Sequence, residues 1–133
     1  MEAAAAPEAP TPTIRVLIAD DHKLFAEALE AILATDDRIT VAGHARDGGE
    51  AVRLAAELEP DVVLMDISMP VMDGIEATQA IRAQRAGTCV LMLTGSNSRI
   101  DVDRARTAGA AGYVTKDRIA AELIDAIVEL ASR

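Results

Sequence analysis

The sequence predicts a doubly wound α/β domain, with five parallel strands in the order 2-1-3-4-5 and five helices covering both faces of the sheet. Three observations carry that expectation. Short runs of Val, Ile, Leu and Met recur along the chain and alternate with segments whose apolar residues repeat at helical spacing. The runs are continuous rather than alternating, as in strands buried on both faces. Polar residues then close strands one, three, four and five at a common carboxyl edge, where open α/β sheets bind ligands.

Residues 1–13 are rich in Ala, Pro, Glu and Thr and hold three of the five prolines. A disordered leader is expected there, ahead of one domain over residues 14–133. Ile14-Arg15-Val16-Leu17-Ile18-Ala19 forms the first strand and runs into Asp20-Asp21-His22. Leu24, Phe25, Ala28, Leu29, Ile32 and Leu33 recur at helical spacing and define the first helix. Ile39 to Ala45 is the second strand, with His44 as an outward polar position. Asp47 with Glu50 starts a second helix, whose apolar face is Ala51, Val52, Ala55 and Leu58. Val62-Val63-Leu64-Met65 runs unbroken into Asp66, between Pro60 and Pro70, as the third strand. Pro70 stops it, and Asp73 with Glu76 reads as an N-cap and its partner for a third helix from about Gly74 to Arg85. Cys89 to Thr94 is the fourth strand. Ser98 with Asp101 caps a charged fourth helix that ends near Ala108-Gly109. Gly112-Tyr113-Val114-Thr115 is a short fifth strand, followed at once by Lys116. The fifth helix shows Leu123, Ile124, Ile127, Val128 and Ala131 on one face.

A chain of 133 residues suits one domain with a real core. Hydrophobic residues make up 50% but aromatics only 2%, so that core is aliphatic. The net charge of −9 argues against unaided nucleic-acid binding, which needs a basic footprint. A single cysteine, Cys89, excludes an internal disulfide and reads as a buried thiol. No apolar run approaches the length of a membrane span, and no signal-peptide pattern opens the chain, so a cytoplasmic protein is expected.

The strand ends carry the chemistry. Strand one supplies Asp20 and Asp21, strand three Asp66, strand four Thr94, and strand five Lys116. Strands one and three are neighbours in the expected order, so three carboxylates converge. Like charges that close are costly unless neutralised, and a divalent hard cation such as Mg²⁺ is the simplest remedy. Add one lysine and one hydroxyl, and the set suits a carboxylate, Asp66, attacking a phosphoryl group. Singly, each residue has a plainer role. Asp20-Asp21 can equally be N-caps of the first helix, Thr94 a strand-end residue, and Lys116 a solvated charge. His22 is disfavoured as a ligand because hard cations prefer oxygen.

From Ile14 to Arg133 the chain resembles the receiver domain of bacterial two-component response regulators. The residues that carry the resemblance are Asp20-Asp21-His22, Met65-Asp66-Ile67-Ser68-Met69-Pro70 through Met72-Asp73-Gly74, Leu93-Thr94-Gly95, and Ala108-Gly109-Ala110 through Gly112-Tyr113 to Lys116-Asp117. The acid pair followed by histidine, and Asp117 after the lysine, are most similar to the NarL/FixJ type, which usually carries a C-terminal helix-turn-helix DNA-binding domain. The resemblance implies a flavodoxin-like fold and a signalling switch that catalyses only its own phosphoryl transfer and autodephosphorylation. Asp66 would accept a phosphoryl group from a sensor histidine kinase. Asp21, Asp66 and the backbone carbonyl of Ser68 would bind Mg²⁺, with Asp20 acting largely through water. Lys116 would pair with one phosphoryl oxygen, Thr94 would bond another, and Tyr113 would be the aromatic whose rotamer follows Thr94. Gly95 would leave room for the donor.

Departures from the family pattern are few. Many receivers have proline after the lysine, where this chain has Asp117. Ser68 and Ser96 occupy the two positions that tune phosphoryl lifetime in the family. The resemblance further implies either a homodimer through the first and fifth helices or one through the fourth helix, fifth strand and fifth helix. DNA would be reached through a domain beyond this chain, which is expected to be an excised receiver rather than a single-domain regulator. Other classes fit less well. A haloacid-dehalogenase-type hydrolase would want a second acid where Ser68 stands, and a flavodoxin-like nucleotide site would meet repulsion from Asp20-Asp21. A phosphorylation-independent adaptor has no use for the intact acid set.

Overall fold

The computed structural model describes residues 13–69, 71–95 and 99–132. The leader expected over residues 1–13 (apart from Thr13), the strand stop at Pro70, Ser96, and the cap at Ser98 lie outside the described residues. Along the chain run β1 (Ile14–Ala19), α1 (Lys23–Leu33), β2 (Ile39–Ala45), α2 (Gly48–Leu58), β3 (Val62–Asp66) and α3 (Gly74–Gln84). After them come β4 (Cys89–Thr94), α4 (Arg99–Ala108), β5 (Gly112–Thr115), a 3₁₀ turn (Lys116–Arg118) and α5 (Ile119–Ala131). The five strands form one sheet in the order β2-β1-β3-β4-β5, and every neighbouring pair is parallel. This is the expected doubly wound topology.

Side-chain alternation along the strands divides the core in two. Val16, Ile18, Leu64, Leu91 and Leu93 point to the layer of α1 and α5, where they meet Leu29, Leu33, Leu123 and Ile127. Leu17, Val63, Met65, Val90 and Met92 point to the other layer and meet Ala51, Ala55, Ala77, Ile81 and Ala105. Truncating one of the fully buried leucines, Leu29 or Leu64, to alanine should cost about 2–5 kcal/mol. α4 sends only Ala105 and Ala108 into the interior.

Two local readings shift. The buried stripe of α1 is Ala26, Leu29 and Leu33, whereas Leu24 is 81% exposed and Ala28 also faces solvent. The helix opens only at Lys23, so Leu24 falls in a first turn that points off the sheet. In β2 the register slips from Val16 opposite Val41 to Leu17 opposite Gly43, which leaves Ala42 as the extra residue of a bulge. His44 therefore lies half-buried, with Nε2 3.2 Å from the backbone oxygen of Asp20.

Helix starts press against the carboxyl edge of the sheet. Asp47 and Asp73 cap α2 and α3 by accepting from the amides of Glu50 and Glu76. A Cβ on Gly74 would lie 2.2 Å from the backbone oxygen of Asp66. Only glycine lets α3 begin that close to the end of β3.

Candidate functional site

Parallel register sets the site. Ala19 lies opposite Met65, so Asp20, one residue past the end of β1, and Asp66, the last residue of β3, fall on the same row. Asp66 lies opposite Leu93, and Leu93 opposite Val114. Thr94 thus stands one residue past that row and Lys116 two residues past it. Strand-end position alone brings these four residues to one edge of the sheet.

Asp20 is fully buried and Asp66 is 2% exposed. One oxygen of Asp66, Oδ1, accepts from the Ser68 amide at 3.2 Å. The other, Oδ2, accepts from Lys116 Nζ at 3.4 Å. Asp20 Oδ1 accepts from the His22 amide at 2.7 Å. Asp20 Oδ2 is buried and has no hydrogen-bond partner among the described residues. The Asp20-Asp21 pair does not cap α1: the cap is His22, which makes no side-chain cap bond. That resolves the open alternative, because the chain turns so that Asp20 faces the acids rather than the first amides of the helix.

Oxygen and nitrogen atoms of Asp20, Asp21, His22 and Asp66 lie within 4.8 Å of one another. His22 Nδ1 comes within 3.1 Å of Asp21 Oδ1 and 3.4 Å of Asp20 Oδ1, so the histidine disfavoured as a ligand borders the cluster. Burial pushes the Asp66 carboxyl above its ordinary value, and the charge of Asp20 adds to this. The Ser68 amide and Lys116 pull the other way. Three carboxylates against one ammonium leave an excess of negative charge, and the orphaned Asp20 oxygen is a ligand atom in waiting. A hard divalent cation fits that donor set.

The remaining expected residues fall around this centre. Thr94 is buried at the end of β4. Ser68 is exposed beside the acids. Tyr113 is 41% exposed on the edge strand β5 and borders cavities beside α4 and α5. A cavity of about 540 Å³ opens beside Asp21 and Ser68, bounded further by Asp73, Asp101 and Arg104. Phe25, which the sequence places only on an apolar helix face, reaches the site as well. Its ring centroid lies 4.7 Å from Lys116 Nζ.

A family model described as the response regulator receiver domain matches residues 16–128. The transcriptional regulatory protein LiaR of Bacillus subtilis (strain 168) is 47% identical over 117 residues, covering 86% of this chain and 54% of that protein. This chain spans about half the length of the curated relatives it matches. Among solved structures, the signal receiver domain of the putative response regulator NarL from Mycobacterium tuberculosis superposes with a TM-score of 0.87 at 34% identity, over 92% of this chain and 98% of that one. A chain of the CheX–CheY–BeF3–Mg+2 complex from Borrelia burgdorferi superposes with a TM-score of 0.83 at 26% identity, over 90% of each chain.

Proposed function

The chain belongs to the response-regulator receiver family, and from that premise we propose that it is a phosphorylation-operated signalling switch with Asp66 as the acceptor. The observation that carries this reading is the contact of Lys116 Nζ with Asp66 Oδ2 at 3.4 Å inside a cluster of three carboxylates. A nucleophile needs its attacking oxygen held and the charge of the incoming group offset, and this pair does both.

A phosphohistidine of a sensor histidine kinase is the donor. A bond forms between an Asp66 oxygen and phosphorus as the bond from phosphorus to the donor's imidazole nitrogen breaks, and that nitrogen keeps the electron pair. Lys116 stays protonated and follows one phosphoryl oxygen, while the Thr94 hydroxyl donates to another. Asp20, Asp21, Asp66 and the Ser68 backbone carbonyl would hold Mg²⁺, which would supply further charge neutralisation when bound. The complex of CheX and CheY named above contains BeF3 and Mg²⁺, which supports the same pairing of a phosphoryl-like group with this ion here. Water then attacks phosphorus as the bond from phosphorus to the Asp66 oxygen breaks; the carboxylate keeps the electron pair, inorganic phosphate leaves with the protons of the water, and the domain resets itself.

Output follows from what the phosphoryl group attracts. Two charge-assisted hydrogen bonds, each worth about 1.5–3 kcal/mol, approach the roughly 5.5 kcal/mol that takes a two-state element from 1:99 to 99:1. Tyr113, α4 and the β5–α5 face are the elements to shift, with a homodimer through that surface or through α1 and α5 as the readout. The names of relatives such as LiaR, a transcriptional regulatory protein, support a cytoplasmic role in transcription. DNA contact would be made by a helix-turn-helix domain outside this chain. Incubating the chain with Mg²⁺ and phosphoramidate tests the reading. Intact mass should show one added phosphoryl group on the wild type and none on Asp66→Asn; equal uptake by both would overturn it.

A further inference from the structure

We propose that Phe25 is a positioning residue for phosphoryl transfer, its ring stationing the Lys116 ammonium beside Asp66. The inference rests on Asp66 being the acceptor. Among the described residues, Lys116 Nζ meets Asp66 Oδ2 at 3.4 Å and the Phe25 ring at 4.7 Å from its centroid. The second distance lies well inside the roughly 6 Å over which a ring face attracts a cation. The first is at the long end of a hydrogen bond. Lys116 sits where β5 gives way to the 3₁₀ turn, on a flexible four-carbon stem that is 31% exposed. One long contact does not hold such a side chain.

An aromatic ring is well suited as the second anchor. It attracts the ammonium without adding a fourth carboxylate to the cluster, and it consumes none of the three N–H donors that the phosphoryl oxygens and Asp66 require. The ring is itself fixed. Phe25 lies in the first turn of α1 and packs on the core layer shared with α5, one helical turn before the fully buried Leu29. It is the only phenylalanine in the chain. A phenylalanine that merely filled the core would be replaceable by leucine at a cost to stability and none to the reaction.

The test compares wild type, Phe25→Leu and Phe25→Tyr as full chains, following the initial rate of phosphoryl uptake from phosphoramidate with Mg²⁺. The leucine keeps apolar volume and removes the ring, and uptake should slow about two- to fivefold. Tyrosine keeps the ring and should restore the wild-type rate. Independently, the side-chain methylene protons of Lys116 in the wild type should show an upfield ring-current shift that Phe25→Leu abolishes. Equal rates for leucine and phenylalanine, or Lys116 methylenes at ordinary shifts, would overturn the proposal. Should the leucine variant not fold, the wild-type shift decides alone. Wild type that takes up no phosphoryl group counts against Asp66 as acceptor, and the ring-current shift still reports on Phe25.

Discussion

Replacing Asp20 by asparagine should make the metal-free protein more stable, although it takes the charge from a fully buried carboxylate of the site. Asp20 and Asp66 have oxygens within 4.8 Å of each other, and at an effective dielectric near 20 that repulsion amounts to about 3.5 kcal/mol. The asparagine amide keeps an acceptor for the His22 amide, which Asp20 Oδ1 binds at 2.7 Å. It also puts an NH₂ donor where Asp20 Oδ2 has no partner among the described residues. Lost attraction to Lys116 and relaxation of the acids trim the gain, to about 1–2 kcal/mol on the same scale. Urea unfolding at neutral pH in chelator reads it directly. Mg²⁺ should then reverse the order. A ligand at 100 times its Kd adds about 2.7 kcal/mol to the state that binds it, and the wild type, with its full set of carboxylates, should take most of that. An Asp20→Asn protein less stable than wild type in chelator, or stabilised by Mg²⁺ to the same extent, would refute the argument.

Gly74→Ala should destabilise by about 1–3 kcal/mol and disturb the Asp66 loop, because the new methyl would lie 2.2 Å from the Asp66 backbone oxygen; urea melts with amide shifts around Asp66 check it. In chelator, the raised Asp66 carboxyl means that the folded state binds more protons than the unfolded state between the ordinary and the raised value. Stability should therefore fall as pH climbs through that window and level off above it. Asp66→Asn, which lacks the titrating group, should fall less steeply, and identical slopes would contradict the assignment. For metal affinity, Asp21→Ala should weaken Mg²⁺ binding well beyond His22→Ala, since oxygen ligands dominate such a site. Titration of both variants settles the role of the histidine that borders the cluster.

The acids are legible in the sequence because parallel strands of matched register must end together. Once β1 and β3 are neighbours, Asp20 and Asp66 share a row, and Thr94 and Lys116 follow from the next two pairings. What local pattern cannot carry is contact between residues far apart in the chain. Phe25 belongs to the apolar stripe of α1, and nothing in its own stretch places Lys116 over the ring. His44 reads from sequence as an outward polar position of the second strand. The bulge at Ala42 shifts the pairing by one residue, and such a slip re-aims every side chain beyond it. Sequence leaves the choice between capping and site open for Asp20 because aspartate is a good N-cap in its own right. Only the backbone turn at His22 decides it.

The central claim is that Asp66, among the acids of this edge, forms the bond to phosphorus. Borohydride reduction of the Mg²⁺-dependent phosphorylated chain, followed by peptide mapping, reads the acceptor residue itself, since an aspartyl phosphate is reduced to homoserine. Homoserine at position 66 and at no other aspartate is the predicted result. Homoserine at position 20 or 21 with Asp66 unmodified, or phosphorylated protein with no homoserine at all, would contradict the account.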